Sequence, residues 1–182
     1  RPDPGIWWKI VADYKVTSMF SSPTAIRVLK KQDPAFMKAH DTSSLRYLFL
    51  AGEPLDEPTA RWVDEALGCP IVDNYWQTET GWPLLSACPG VEDTPRKFGS
   101  PSFPVYGYNV KIKDEVTGLE TAPDQKGVLC VIPPLPPGAM TTVWGDDERY
   151  VSTYYKSFKD ELVYSTFDWA VRDADGYYYV LG

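Results

Sequence analysis

Three short apolar runs, at residues 16–20, 45–51 and 71–74, alternate with two stretches carrying helix start and stop signals. Runs of that length bounded by turn residues suit strands buried on both faces. Ser22 is placed to cap a helix that begins at Pro23 and continues through Ala25, Ile26, Val28 and Leu29. A hydroxyl there accepts from an otherwise unmet N–H, and proline has no N–H to lose in the first turn. Asp33-Pro34 breaks that helix, and a shorter helical piece is expected through Met37. Asp56 is placed to cap a second helix over 58–67, with Ala60, Val63 and Leu67 inward and Gly68 at its end. Strand, helix, strand, helix, strand is the order of a parallel α/β sheet. Ahead of it, Ile6, Trp7, Ile10 and Val11 give the apolar face of a short opening helix.

In such sheets ligands dock beyond the carboxyl ends of the strands. That rule puts residues 20–22, 51–54 and 75–81 on one rim. The last of these is the densest in chemistry: Tyr75-Trp76-Gln77-Thr78-Glu79-Thr80-Gly81 offers two large aromatics, two hydroxyls, an amide and a carboxylate. A hydroxyl such as Thr78 can donate to a phosphate oxygen, and Glu79 offers hard oxygens to Mg²⁺. From composition alone the same loop reads as an aromatic-rich turn after a core strand.

The character changes after Pro89. Prolines and glycines multiply, and strands follow without long helices between them. Residues 108–113 alternate as a half-exposed strand does, 116–118 turn the chain and 127–132 return it. The proline-rich 133–138 reads as a rigid loop at a sheet edge rather than a polyproline ligand. A short helix is expected over 146–158, acidic in its first turn. Residues 163–168 and 169–172 are strand material, and 173–176 form a hairpin turn into a last strand at 177–181. The fold class is therefore α/β: a mostly parallel segment over 1–95, then a β-rich, barrel-like subdomain over 96–182.

A net charge of −7 argues against wrapping nucleic acid or lying on an anionic membrane. It leaves room for a small anion, whose local field a metal ion or backbone N–H groups can reverse. No apolar run approaches membrane-span length. Cys69, Cys88 and Cys130 have no paired spacing and are odd in number, so reduced thiols and a cytoplasmic setting are expected. Neither a zinc site nor a His-driven hydrolase is supported around His40, the one histidine. The chain opens on Arg1 and closes on Gly182, and both ends read as cuts in a longer protein.

Several motifs then fall in one order. Ser22-Pro23-Thr24-Ala25-Ile26-Arg27, Ala51-Gly52-Glu53-Pro54, Asp73-Asn74-Tyr75-Trp76-Gln77-Thr78-Glu79-Thr80-Gly81, Ser165-Thr166-Phe167-Asp168 and Asp175-Gly176-Tyr177-Tyr178 follow one another along the chain. Together they resemble the short-chain acyl-CoA synthetases of the adenylate-forming, AMP-binding superfamily. The wording around 48–59 and 73–83 is most similar to the propionate-activating branch.

The resemblance implies ATP-dependent ligation of propionate to CoA through an acyl-adenylate, with ATP, CoA and Mg²⁺ as the small-molecule partners. It implies that Gly52, Glu53, Pro54, Asp73, Asn74, Tyr75, Trp76, Gln77 and Thr78 line the ATP site. Asp168 would accept the ribose hydroxyls, Thr78 and Glu79 would serve catalysis, and Glu79 would hold Mg²⁺. Ala51 and Trp76 would bound the acyl pocket, Ala51 standing where acetate-preferring relatives carry valine. Phe167 stands where most of the superfamily has glycine, and propionate-activating members resemble this chain there. The phosphate loop would precede Arg1, and the C-terminal lid with its catalytic lysine would follow Gly182. These missing parts of the same enzyme are thus expected partners, and the chain alone is expected to be inactive. An acetate-type enzyme of broader range and a non-catalytic nucleotide-binding module remain the alternatives. Glu53 suits a loop-bracing role as well as a ligand role, and Arg27 reads as a solvated helix residue with a structural partner.

Overall fold

Caps and turns appear where the residues supply them. In the computed structural model, which describes residues 3–159 and 161–182, Ser22 Oγ accepts from Ala25 N at 3.3 Å. Asp56 Oδ1 accepts from Thr59 N at 2.9 Å. Arg1, on which the expectation of a cut start rests, lies outside the described residues. The chain divides into two units, Arg1–Asp73 and Asn74–Gly182.

The first unit carries helix α1 (Ile6–Tyr14), strand β1 (Ser18–Ser21), helix α2 (Pro23–Lys30) and the one-turn helix α3 (Ala35–Lys38). Strand β2 (Tyr47–Leu50), helix α4 (Glu57–Leu67) and the start of β3 (Ile71–Tyr75) follow. β1 pairs with β2 and β2 with β3, both parallel, as the alternation of elements requires. Leu48, Leu50, Ile71 and Val72 are buried, and α2 and α4 contribute Ile26, Ala60 and Val63. The buried side of α1 differs from expectation. It is Trp8 and Val11, while Ile6 and Ile10 stay exposed, because three residues of helix bring a side chain back to nearly the same face. Val28 on α2 is likewise exposed.

In the second unit, Asn74 and Tyr75 at the end of β3 pair antiparallel with the two-residue strand β4 (Leu85–Ser86), which no sequence pattern announced. Beyond it β5 (Asn109–Lys113), β6 (Gly127–Ile132), β7 (Tyr164–Arg172) and β8 (Tyr178–Val180) form an antiparallel sheet in that order. Helix α5 (Asp147–Tyr154) lies between β6 and β7 in the chain and stops four residues short of expectation.

β7 is one strand rather than two, and it contains a bulge. Val128 faces Trp169 and Cys130 faces Ser165, so β6 advances two residues where β7 advances four. The two extra residues are absorbed around Thr166–Asp168. Thr166 Oγ1 fills the gap by donating to Leu129 O at 2.8 Å and accepting from Asp168 N at 3.1 Å. Phe167 takes φ +63°, a left-handed conformation that costs an L-residue about 1–2 kcal/mol. Core packing holds on both sides of this defect. Leu129, Val131, Tyr164 and Ala170 share one buried cluster, and Val128, Cys130 and Val163 share another, against which Trp169 packs.

Candidate functional site

The bulge matters because it aims Asp168. A bulged strand bends and re-directs one side chain while the ladder continues beyond it. The Asp168 carboxylate receives the Tyr75 hydroxyl and, at 3.2 Å, Gln77 Nε2. Both donors meet the same oxygen, Oδ2. Among the described residues Oδ1 thus keeps its lone pairs, and a carboxylate with one oxygen braced and one open suits a diol or another paired donor.

Gln77 has its orientation fixed from two sides. Its Nε2 donates to Thr166 O at 2.7 Å, and its Oε1 accepts from the Tyr164 hydroxyl at 3.0 Å. A carbonyl can only accept, so the amide nitrogen belongs on that side and the amide oxygen faces the phenol. Glu79 has a similar brace: the Tyr154 hydroxyl donates to its Oε1 at 2.9 Å. Burial, and for Tyr75 the adjoining Asp168 carboxylate, pushes the phenols of Tyr75, Tyr154 and Tyr164 above their ordinary range. All three keep their protons, and remain donors, at neutral pH.

The loop between β3 and β4 is pinned before any ligand arrives. Leu84 N donates to Tyr75 O at 2.8 Å, closing the loop at its base. Thr80, 1% exposed, bonds Gln77 through both backbone and side chain. The Tyr108 hydroxyl donates to Thr80 O at 2.8 Å, and Met140 N donates to Glu79 O at 2.7 Å. Gly81 sits at φ +62°, where a Cβ would fall 2.3 Å from Gly138 O. Glycine is required there twice over, by conformation and by the passing chain.

Structure distributes the expected site residues unevenly. Tyr75, Gln77 and Asp168 are joined by hydrogen bonds, and Glu79 is tied to Tyr154. Trp76, 42% exposed, and Thr78 point toward solvent within the second unit, while Asn74 is buried. Asp73 is half-buried on β3, at the end of the first unit.

In that unit Ala51 is buried and Gly52, at φ +99°, turns the chain after β2. Glu53 braces its own loop: Oε1 accepts from Thr24 N at 2.8 Å and Oε2 from Arg27 Nη1 at 2.9 Å. Arg27 also reaches Asp56 at 2.7 Å and Pro54 O at 2.9 Å. Its structural partners are thus three in number, and each bears on 53–56. Burial alone would raise the Asp56 carboxyl, but Arg27 and the Thr59 hydrogen bonds outweigh it and hold the group at about 2. Thr24, with Arg27 behind it, lowers Glu53 too.

Sequence reasoning missed the tyrosines. Tyr154 and Tyr164 fall in expected helix and strand stretches, and only the three-dimensional pairing shows their use. The one available signal was the density of tyrosine at 150, 154, 155 and 164.

A single carboxylate is enough for Mg²⁺ when phosphate oxygens supply the remaining ligands, so Glu79 fits the role proposed for it. A protein-only cage is another matter: among the described residues no group of three or more His, Cys, Asp or Glu side chains gathers to hold a metal. The three cysteines are free thiols, with Cys69 and Cys130 buried. Among the described residues no helix is long and apolar enough to cross a membrane.

A family model described as AMP-binding enzyme matches residues 1–141. Over its full length the chain is 57% identical to a propionate–CoA ligase of Salmonella typhimurium and 56% identical to one of Escherichia coli. In each case it spans 29% of the relative's length. A crystal structure of the anthranilate CoA ligase AuaEII in complex with anthranoyl-AMP superimposes with a TM-score of 0.81 at 25% identity. That match covers 97% of this chain and 31% of the ligase. The α/β architecture read from the sequence is the architecture of that segment.

Proposed function

The chain belongs to the AMP-binding enzyme family, and we propose that it is the central, nucleotide-holding portion of an AMP-forming propionate–CoA ligase. The observation that carries this reading is the Asp168 carboxylate, delivered by a strand bulge and braced on one oxygen by Tyr75 and Gln77. Its open oxygen is suited to the ribose hydroxyls of ATP. Identity of 57% and 56% to two propionate–CoA ligases supports the choice of acid.

The chemistry has two steps. A carboxylate oxygen of propionate attacks the α-phosphorus of ATP, the bond from that phosphorus to the oxygen it shares with the β-phosphorus breaks, and pyrophosphate leaves. The sulfur of CoA then attacks the carbonyl carbon of propionyl-AMP; AMP leaves and the thiol proton passes to water. Such a sequence depends on positioning and on charge stabilisation around the α-phosphate. In this reading Asp168 accepts the ribose hydroxyls, and the resemblance assigns Gly52, Glu53, Pro54, Asp73, Asn74 and Gln77 to the nucleotide. Tyr75 lies along the base and Thr78 donates to a phosphate oxygen. Ala51 and Trp76 limit the acid. Glu79 would hold Mg²⁺, which supplies positive charge to the phosphate oxygens. The contacts that restrain Tyr75, Gln77 and Glu79 within the 75–84 loop support this reading, because groups already held lose less freedom when a ligand binds.

The test is pyrophosphate release by the full-length enzyme with ATP and propionate, beside an Asp168→Ala variant and the 182-residue chain alone. Propionate-dependent release is expected from the full-length enzyme. The variant should bind AMP at least tenfold more weakly, and the chain alone should show no useful turnover. Unchanged AMP affinity in Asp168→Ala, or turnover by the chain near that of the full-length enzyme, overturns the reading.

A further inference from the structure

Two carboxylates in the second unit are each linked to one of two further tyrosines, Glu79 by a direct hydrogen bond and Asp168 by way of the Gln77 amide. Glu79 Oε1 accepts from Tyr154 at 2.9 Å. Gln77 Oε1 accepts from Tyr164 at 3.0 Å, and the other end of that amide donates to Asp168 Oδ2. The two tyrosine rings lie 5.3 Å apart and are parallel to within 7°. They come from different elements, Tyr154 from the last turn of α5 and Tyr164 from the first residue of β7.

The stack is itself held. Tyr164 is 2% exposed and belongs to the buried cluster with Leu129, Val131 and Ala170, against which Tyr154 and Tyr155 pack. Tyr155 meets Tyr164 edge-on at 5.8 Å. Tyr150 donates to Met140 O at 2.7 Å, so in its 3.0 Å contact with Tyr155 the proton comes from Tyr155. Met140 N in turn donates to Glu79 O. The phenols form one ordered set in which each polar atom has a direction. A buried network satisfied in this way fixes the groups at its edge more tightly than isolated contacts do.

We propose that Tyr164 and Tyr154 are positioning residues for the ligase reaction: Tyr164 fixes Asp168 through Gln77, Tyr154 fixes Glu79, and their stacked rings hold the two carboxylates in one frame. Neither tyrosine touches substrate in this scheme. The inference rests on the roles proposed above for Asp168 and Glu79. It adds the prediction that each hydroxyl acts through one named carboxylate and not through the stability of the fold.

The experiment uses the full-length enzyme with Tyr164→Phe and Tyr154→Phe, which keep both rings and remove one oxygen each. AMP affinity is measured by calorimetry, pyrophosphate release by a coupled assay, and Tm by calorimetric scanning. Tyr164→Phe should weaken AMP binding about tenfold. The effect should vanish in an Asp168→Ala background, because a relay with no terminus has nothing left to place. Tyr154→Phe should leave AMP affinity within about twofold of wild type and lower kcat for pyrophosphate release about tenfold. That loss should vanish in a Glu79→Gln background. Tm should change little in either.

If Asp168→Ala weakens AMP binding while Tyr164→Phe does not, the positioning role is wrong and the proposed function stands. Full additivity of Tyr164→Phe with Asp168→Ala, or of Tyr154→Phe with Glu79→Gln, overturns the relay as well. Unchanged AMP affinity in Asp168→Ala removes both this inference and the reading beneath it.

Discussion

The Tyr75 hydroxyl donates a hydrogen bond to the carboxylate of Asp168, 93 residues further along the chain. Tyr75 ends β3 and Asp168 sits in the bulge of β7, so the contact ties the first strand of the second unit to one near its end. Replacing Tyr75 with Phe keeps the ring and removes the donor, leaving Gln77 as the brace. A hydrogen bond to a charged group contributes about 1.5–3 kcal/mol. The AMP dissociation constant of the full-length Tyr75→Phe enzyme should therefore rise by at least tenfold, read by calorimetric titration.

Gly81 and Gly138 give a prediction about folding rather than binding. Gly81→Ala must accept a left-handed conformation and also push aside the Gly138 carbonyl 2.3 Å from the new carbon. Gly145→Ala meets a similar conformation, φ +70°, with no neighbour within 4 Å. The second change should cost about 1–2 kcal/mol from conformation alone. The first should cost clearly more, and urea unfolding of the two variants side by side measures the difference.

Acid should loosen the first unit through Arg27. Asp56, at about 2, and Glu53 both titrate below their ordinary range in the folded chain. A carboxyl whose folded value is depressed contributes stability above its unfolded value, near 4, and loses it as pH falls toward the folded one. Unfolding midpoints should drop between about pH 5 and pH 2. Arg27→Met, which removes the shared cation, should flatten that slope while lowering stability at pH 7.

Ala51 bears on which acid is used. It is buried at the end of β2, and valine there adds two methyl groups' worth of bulk to the proposed pocket. Pockets separate substrates differing by one methylene by roughly 1–3 kcal/mol. Ala51→Val in the full-length enzyme should move the ratio of kcat/KM values toward acetate by about tenfold; an unmoved ratio removes Ala51 from the specificity assignment.

How much of this was legible in the sequence depends on the range of the interaction. Ser22 before Pro23, and Asp56 ahead of Glu57-Pro58, state their purpose within a few residues, and both caps form as written. Parallel pairing of β1, β2 and β3 followed from the alternation of elements. The loop at 75–81 was marked by its residue types, although not by its pinning contacts, which come from Tyr108 and Met140. Glu53 left two readings open because a carboxylate in a Gly-Glu-Pro turn can serve either; its bonds to Thr24 and Arg27 show the bracing one at work. The Tyr164 and Gln77 contact spans 87 residues, and no local periodicity encodes a pairing at that distance. β4, two residues long, is too short to carry any pattern.

The bulge in β7 has a consequence in parity. Two residues are inserted relative to β6, and an even number leaves odd and even positions on the sides they already held. Val163 and Trp169 therefore pack with one cluster, and Tyr164 and Ala170 with the other, although the defect lies between them. A slip of one residue in the pairing beyond the bulge would exchange Trp169 with Ala170, forcing an indole into a fully buried alanine site. Loss of both extra residues would keep the phase and cost the turn that presents Asp168. The defect thus redirects Asp168 without changing which residues the strand hands to either side of the core.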